Sequence, residues 1–302
     1  RCADVTGVQT CALPISIVFL LYENNGDGTF TEKAQALGAE DAGGNGAGVA
    51  IADFNNDGWP DIFIANGERD VLLKNLNGTA FEDISSSSGI WASGNSRGTS
   101  ASWGDYDNDG YLDLYVSHHV PLDLNDPTAT NQDFLFYNNG DETFTDVSHL
   151  LTIDPHLLGY GFIGGWTDYD NDGDLDILLV NDCFFTPPGN TPLVTATKLF
   201  QNDGGSDPLN WDFSEVSPQM GINDCRNGMG LAVGDFNRDG FMDYSYTNIG
   251  PIVLFENMDG LGFDNVTNSA GIGGQATEYW SWGTSFWDYD NDGWQDLIVS
   301  MG

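Results

Sequence analysis

The sequence predicts an all-β protein, a β-propeller fragment with four complete four-stranded blades and two half blades. Three observations predict it. Glycine occurs 39 times and proline 11 times in 302 residues, a density that suits short strands joined by tight turns better than long helices. An acidic nonad, D-x-[DN]-x-D-G-x-x-D, recurs five times at intervals of 52, 63, 67 and 53 residues, which marks a repeat architecture. Apolar segments of strand length flank each nonad: GVAIAD, SASWGD and LAVGD precede it, and DIFIAN, DLYVSH, DILLVN and DLIVSM follow.

Composition narrows the function. With 46 acidic against 8 basic residues the formal charge is -38, which disfavours nucleic acid and anionic membrane surfaces as partners. Hydrophobic residues make up 40% and aromatic residues 13%, enough for a sizeable core. No run of 18 or more apolar residues exists, so no membrane insertion is expected. The apolar run from Leu13 to Tyr22 reads as a strand, because Ile17 to Tyr22 aligns with later repeats. Val5 to Ile15 resembles the translation of a sequencing-library adapter, so residues 1–15 are set apart from the fold and Cys2 and Cys11 carry no weight. The propeller is assigned to residues 16–302 and is expected to continue beyond both ends.

The nonads carry the chemistry. Positions one, three, five and nine are Asp53, Asn55, Asp57 and Asp61 in the first; Asp105, Asp107, Asp109 and Asp113 in the second; and Asp168, Asp170, Asp172 and Asp176 in the third. The fourth has Asp235, Asn237, Asp239 and Asp243, and the fifth Asp288, Asp290, Asp292 and Asp296. Glycine at position six lets the chain wrap an ion. This spacing of hard oxygen donors suits Ca2+, up to five ions in all, whereas zinc would require His or Cys. Position seven, which is Trp59, Tyr111, Asp174, Phe241 or Trp294, varies as expected if only its backbone carbonyl ligates. An EF-hand is excluded, because position 12 is Ile64, Val116, Leu179, Tyr246 or Val299 rather than a bidentate Glu. Asn237 and the positive charge of Arg238 make the site at Asp235 the weakest expected.

A second unit alternates with the nonads: Leu-x-x-Asn, a Gly-rich turn and a Phe, as in LYENNGDGTFTE from Leu21, LLKNLNGTAFED from Leu72, LFYNNGDETFTD from Leu135, LFQNDGG from Leu199 and LFENMDGLGFDN from Leu254. Each is a hairpin, and its Asn and Gly are explained by turn geometry. Inner pair plus outer pair gives one blade.

These loops and hairpins together resemble the FG-GAP or VCBS repeat family, the propeller type of integrin alpha subunits, and most of all its cartilage acidic protein group (ASPIC/UnbV-associated). The resemblance runs from Ile17 to Ser300. It implies a secreted or cell-surface protein with a binding or adhesion function toward an extracellular protein or glycan, and about seven blades. The two half blades either close a five-bladed ring or belong to a larger one, the second being favoured.

Alternating strand directions put the calcium loops on one face and the longest insertions, Ser117 to Gln132 and Cys183 to Thr197, on the other. His118, His119, Asp123, Phe184, Phe185, Trp91 and His156 are therefore the candidate recognition residues. Cys183 and Cys225 map to this same face on consecutive blades, either as a disulfide or as two buried thiols. No H-E-x-x-H or P-loop occurs, and no G-x-S-x-G elbow or G-x-G-x-x-G stands in a strand-to-helix context. The alternative to a binding propeller is a polysaccharide-acting enzyme, or its accessory carbohydrate-binding module, using His118, His119 or a loop carboxylate.

Overall fold

A computed structural model describes residues 19–40, 44, 46–67, 69–90, 96–121, 133–151, 160–183, 196–274 and 280–302. The first hairpin pairs β1 (Tyr22–Asn24) with β2 (Phe30–Glu32). Blade A follows with β3 (Gly46–Ala52), β4 (Asp61–Asn66), β5 (Val71–Asn75) and β6 (Phe81–Asp83). Blade B has β7 (Ser96–Gly104), β8 (Asp113–Pro121), β9 (Phe134–Asn138) and β10 (Phe144–Asp146). Blade C has β11 (Gly161–Thr167), β12 (Asp176–Asn181), β13 (Lys198–Asn202) and β14 (Phe213–Glu215). Blade D has β15 (Gly228–Gly234), β16 (Asp243–Asn248), β17 (Val253–Asn257) and β18 (Phe263–Asn265), and a last hairpin pairs β19 (Ser281–Trp287) with β20 (Asp296–Met301). Every pairing is antiparallel between chain neighbours. The first strands β3, β7, β11, β15 and β19 adjoin one another in turn, so the sheets radiate as propeller blades. The expected four whole blades, leading outer hairpin and closing inner hairpin are all present. The adapter-like residues 1–15 and the start of the Leu13 run lie outside the described residues.

The core lies between blades. Successive side chains of a strand point to opposite faces, so Ile62 and Ile64 pack toward Ala34 and Ala39, while Phe63 and Ala65 pack toward Leu114, Val116 and Phe136 of blade B. Blades B and C share Tyr106, Tyr115, Leu135, Ile177, Leu179 and Phe200, and blades C and D share Tyr169, Val180, Tyr244 and Phe255. Both faces of the second strand are covered in the four whole blades, and every residue of β4, β12 and β16 is buried. Where first strands converge the backbones nearly touch: a Cβ on Gly48 would lie 2.6 Å from the Thr99 carbonyl oxygen, and one on Gly230 2.1 Å from that of Trp282. Only glycine fits there.

Two repeated devices fasten the blades. The Asn of each Leu-x-x-Asn unit keeps its turn role, with Oδ1 accepting from the backbone N–H of Gly78, Gly140, Gly204 or Gly260. Its Nδ2 does more. It donates to the position-eight carbonyl of its own blade's nonad, and in Asn138, Asn202 and Asn257 also to the position-two carbonyl of the preceding blade's nonad: Phe54 at 2.9 Å, Tyr106 at 2.8 Å and Tyr169 at 2.8 Å. Turn geometry is thus only half of what this residue does. After the fourth strand, the hydroxyl of Ser85, Ser148, Ser217 or Thr267 accepts from the backbone N–H that opens the Leu-x-x-Asn unit of its blade. One covalent link is added, a Cys183–Cys225 disulfide with Cα atoms 5.6 Å apart, which joins the end of blade C's second strand to the approach of blade D. No helix among the described residues is long and apolar enough to cross a membrane.

Two outcomes follow from these links. Asn202 is 1% exposed, and Asn202→Ala leaves buried carbonyls without donors, so a loss of about 3–5 kcal/mol is expected in denaturant unfolding. The exposed Asn24, whose Oδ1 only accepts from Gly26, serves as control, with Asn24→Ala costing below about 1 kcal/mol. Reducing the disulfide, which closes a loop of 42 residues, should remove about 4 kcal/mol in the chain-entropy account, read as a fall in melting temperature on the order of 10 °C with added reductant.

Candidate metal centres

Each nonad connects the first and second strands of a blade. Its backbone is folded by its own carboxylates. The position-one aspartate accepts from the N–H groups of positions five and six, as Asp53 does from Asp57 at 3.0 Å and Gly58 at 2.8 Å, and the same pair recurs in all five loops. The position-five aspartate accepts from the N–H of position seven, closing an Asx turn. Glycine at position six has φ between 88° and 97°, a region closed to most side chains. The position-nine aspartate, which opens the second strand, accepts from the N–H of position two at 3.0–3.3 Å. In the four whole blades its other oxygen accepts from the backbone of the Leu-x-x-Asn asparagine at 2.7–2.8 Å.

Carboxylates therefore converge. One oxygen each from Asp105, Asp107 and Asp113 lie within 4.8 Å of one another, as do those of Asp168, Asp170 and Asp176, and of Asp288, Asp290 and Asp296. In the first and fourth loops position three is an amide: Asn55 Nδ2 donates to Asp57 at 3.1 Å, and Asn237 Nδ2 donates to Asp239 at 2.9 Å and Glu256 at 3.2 Å. Burial pushes Asp113 and Asp176 up to about 8, against backbone hydrogen bonds that pull the other way. It likewise pushes Asp61, Asp243 and Asp107 up to about 6. Hydrogen bonds alone leave these charges uncompensated, and a cation at the point of convergence would offset the cost. Asp170 Oδ1 is buried there with no hydrogen-bond partner. An all-oxygen set with an orphaned carboxylate oxygen fits a hard ion such as calcium.

The remaining sequence-selected residues fall as follows. The Trp59 ring packs on the outer turn, where a Cβ on Gly78 would meet it at 2.6 Å, and Tyr111 packs likewise on Gly140 at 3.0 Å. In the first and second nonads the position-seven side chain thus covers the neighbouring turn of its own blade. Arg238 is a correction: at φ 63° its left-handed backbone turns the side chain out of the fourth loop, and the guanidinium lies 5.1 Å from the centre of the Trp294 ring in the fifth. His118 is a second correction. Strand β8 extends far enough to bury it, so at 2% exposure it cannot form a recognition surface; its Nε2 lies 3.2 Å from Asp70 Oδ2 of blade A, and its N–H donates to Asp133 at 2.6 Å. His119 similarly faces Asp182 of blade C at 3.3 Å. Both histidines tie blade B to a neighbour. Trp91, Asp123, His156, Phe184 and Phe185 lie outside the described residues. Sequence reasoning gave the Leu-x-x-Asn asparagines a turn role alone and missed their reach between strands and blades, and it passed over the asparagines at position four of the nonads, where recurrence of one residue type at a nominally free position was the available signal.

The FG-GAP-like repeat family matches residues 19–64, 53–116 and 168–246, more than half of the chain and including its first four nonads. Cartilage acidic protein 1 of Xenopus tropicalis is 33% identical over 165 residues, covering 53% of this chain and 24% of that protein. The Homo sapiens protein of the same name is 32% identical with the same coverage. The chain spans about a quarter of the length of these curated relatives. Among solved structures, an Agrocybe aegerita lectin that recognises non-reducing terminal N-acetylglucosamine has a TM-score of 0.51 and 18% identity, over 93% of this chain and 68% of that one. That is a likeness of fold alone. Nonads, hairpins and family match agree, and the chain belongs to the FG-GAP-like repeat family.

Proposed function

We propose that this chain is a calcium-braced extracellular propeller with a binding or adhesion role toward a protein or glycan. The observation that carries it is the convergence of carboxylates at positions one, three and nine in the second, third and fifth loops. The side chains of positions one, three, five and nine and the backbone carbonyl of position seven would hold the ion. Bound calcium would supply the positive charge that a cluster of partly buried carboxylates requires. The protein's own part is to fix those oxygens: Gly58 and its equivalents shape the loop, and the Leu-x-x-Asn asparagine pins the position-nine carboxylate from the third strand. Extracellular placement is supported by the Cys183–Cys225 disulfide and by the millimolar calcium such sites need.

A second reading, an accessory carbohydrate-binding module of a polysaccharide-acting system, is consistent with the fold shared with the N-acetylglucosamine lectin, a fold that does not by itself set the ligand. Its enzymatic form loses His118, which is buried. A glycan array probed with the intact chain separates a lectin from a protein-binding module: binding of defined sugars selects a glycan partner, and a blank array selects a protein partner.

For the brace, an ion held with Kd of about 0.1 mM contributes about 1.4 kcal/mol at 1 mM calcium, so several sites together should raise the melting temperature by more than about 5 °C over that in chelator. Asp170→Ala should lower stability in calcium by more than Asn237→Ala does, yet leave stability in chelator unchanged or higher, because the apo loop loses a carboxylate that repels its neighbours and has one buried oxygen without a hydrogen-bond partner. Identical melting with and without chelator would remove the proposal.

A further inference from the structure

We propose that the residue at position four of each nonad couples neighbouring ion sites, so that calcium fills the loops cooperatively around the disc; this rests on the calcium reading above. Position four carries no ligand of its own, yet it is asparagine in four loops. Its backbone is left-handed in all five, with φ of 58° at Asn56, 59° at Asn108 and Asn171, 63° at Arg238 and 60° at Asn291. This conformation sends the side chain to the next loop. Asn56 Nδ2 donates to the Gly110 carbonyl at 2.9 Å, and Asn171 Nδ2 to the Gly240 carbonyl at 2.9 Å. Asn108 Nδ2 donates to Asp174 Oδ1 at 2.9 Å and approaches the Gly173 carbonyl at 3.5 Å.

From the first and third loops the acceptor is the position-six glycine of the following loop, and from the second it is chiefly the position-seven Asp174 carboxylate beside that glycine. That glycine is held from both sides: its N–H donates to its own loop's first aspartate, as Gly110 does to Asp105 at 2.9 Å, while its carbonyl accepts from the preceding loop. The donor sits between positions three and five, whose oxygens must be aimed at the ion. Ordering one loop therefore fixes the amide that orders the next, and the entropy spent at the first site need not be spent again at the second. One such hydrogen bond corresponds to about a 2- to 10-fold change in affinity per link.

The fourth loop breaks the chain of links. Arg238 stands where asparagine would be, and it places a guanidinium over Trp294 and beside Gly293 rather than an amide on a carbonyl. The first four loops form one coupled set, and the fifth stands apart with a positive charge next to it.

Calorimetric titration of the full chain with calcium tests this. The wild type should show positive cooperativity across the first four loops and a separate, weaker fifth site. Asn171→Gly keeps the left-handed backbone without the amide; it should bind as many ions, with the fourth loop detached from the set and its affinity about 2- to 10-fold lower. Arg238→Asn should bring the fifth site into the cooperative phase and tighten it, a gain that misfolding cannot imitate. Independent sites in the wild type, or isotherms for both variants that superimpose on it, would overturn the coupling while leaving the calcium reading intact. Absence of any calcium uptake would overturn both.

Discussion

A buried aspartate at the start of the second strand of each whole blade is the constraint on which the rest of the molecule depends. Asp61, Asp113, Asp176 and Asp243 are almost inaccessible to solvent, and a buried carboxylate is costly unless its oxygens are satisfied and its charge is matched. Each of these residues ends a nonad, begins a core strand and receives the third strand's asparagine in one place. Loop, blade and blade-to-blade contact are consequently inseparable. In blades B, C and D the asparagine that reaches the aspartate also reaches the preceding blade, so the local solution for one carboxylate fastens two sheets.

Much of this was legible in the sequence. Five nonads in one register, with strand-like flanks and no glutamate at position 12, specify a hairpin loop, and the alternating Leu-x-x-Asn units complete a four-stranded blade. The observed strands begin at the ninth-position aspartates as that reading requires. What could not be read were the long-range uses of short-range motifs. Asn138 before a glycine is already explained by its turn, and nothing local reveals a carbonyl at Phe54, 84 residues earlier. Arg238 looked like a charge inside its own loop because sequence carries no sign of the left-handed backbone that points it into the next. His118 and His119 looked like loop residues because the extent of β8, to Pro121, is not marked by any change in composition. For Cys183 and Cys225 spacing left two possibilities open, and the 5.6 Å Cα separation decides between them.

The architecture also suggests a division of labour. In a repeat fold each blade contacts only its neighbours, so stability is a sum of blade and interface contributions. Acidic loops on one face would make that sum depend on calcium. The connections on the opposite face, longer and less regular in sequence, are free to differ from one protein to another without disturbing the brace. Under the proposed function the calcium-braced frame would be the constant part and the recognition loops the variable one, and likeness of fold to a lectin says nothing by itself about the ligand of this chain.

The most direct measurement is anomalous diffraction from crystals of the chain grown in calcium. An anomalous peak should lie among the oxygens of Asp105, Asp107 and Asp113, and another at each equivalent point in the other nonads. Carboxylates in the positions described here with no anomalous signal between them, only water, would contradict the claim that these loops are built around an ion.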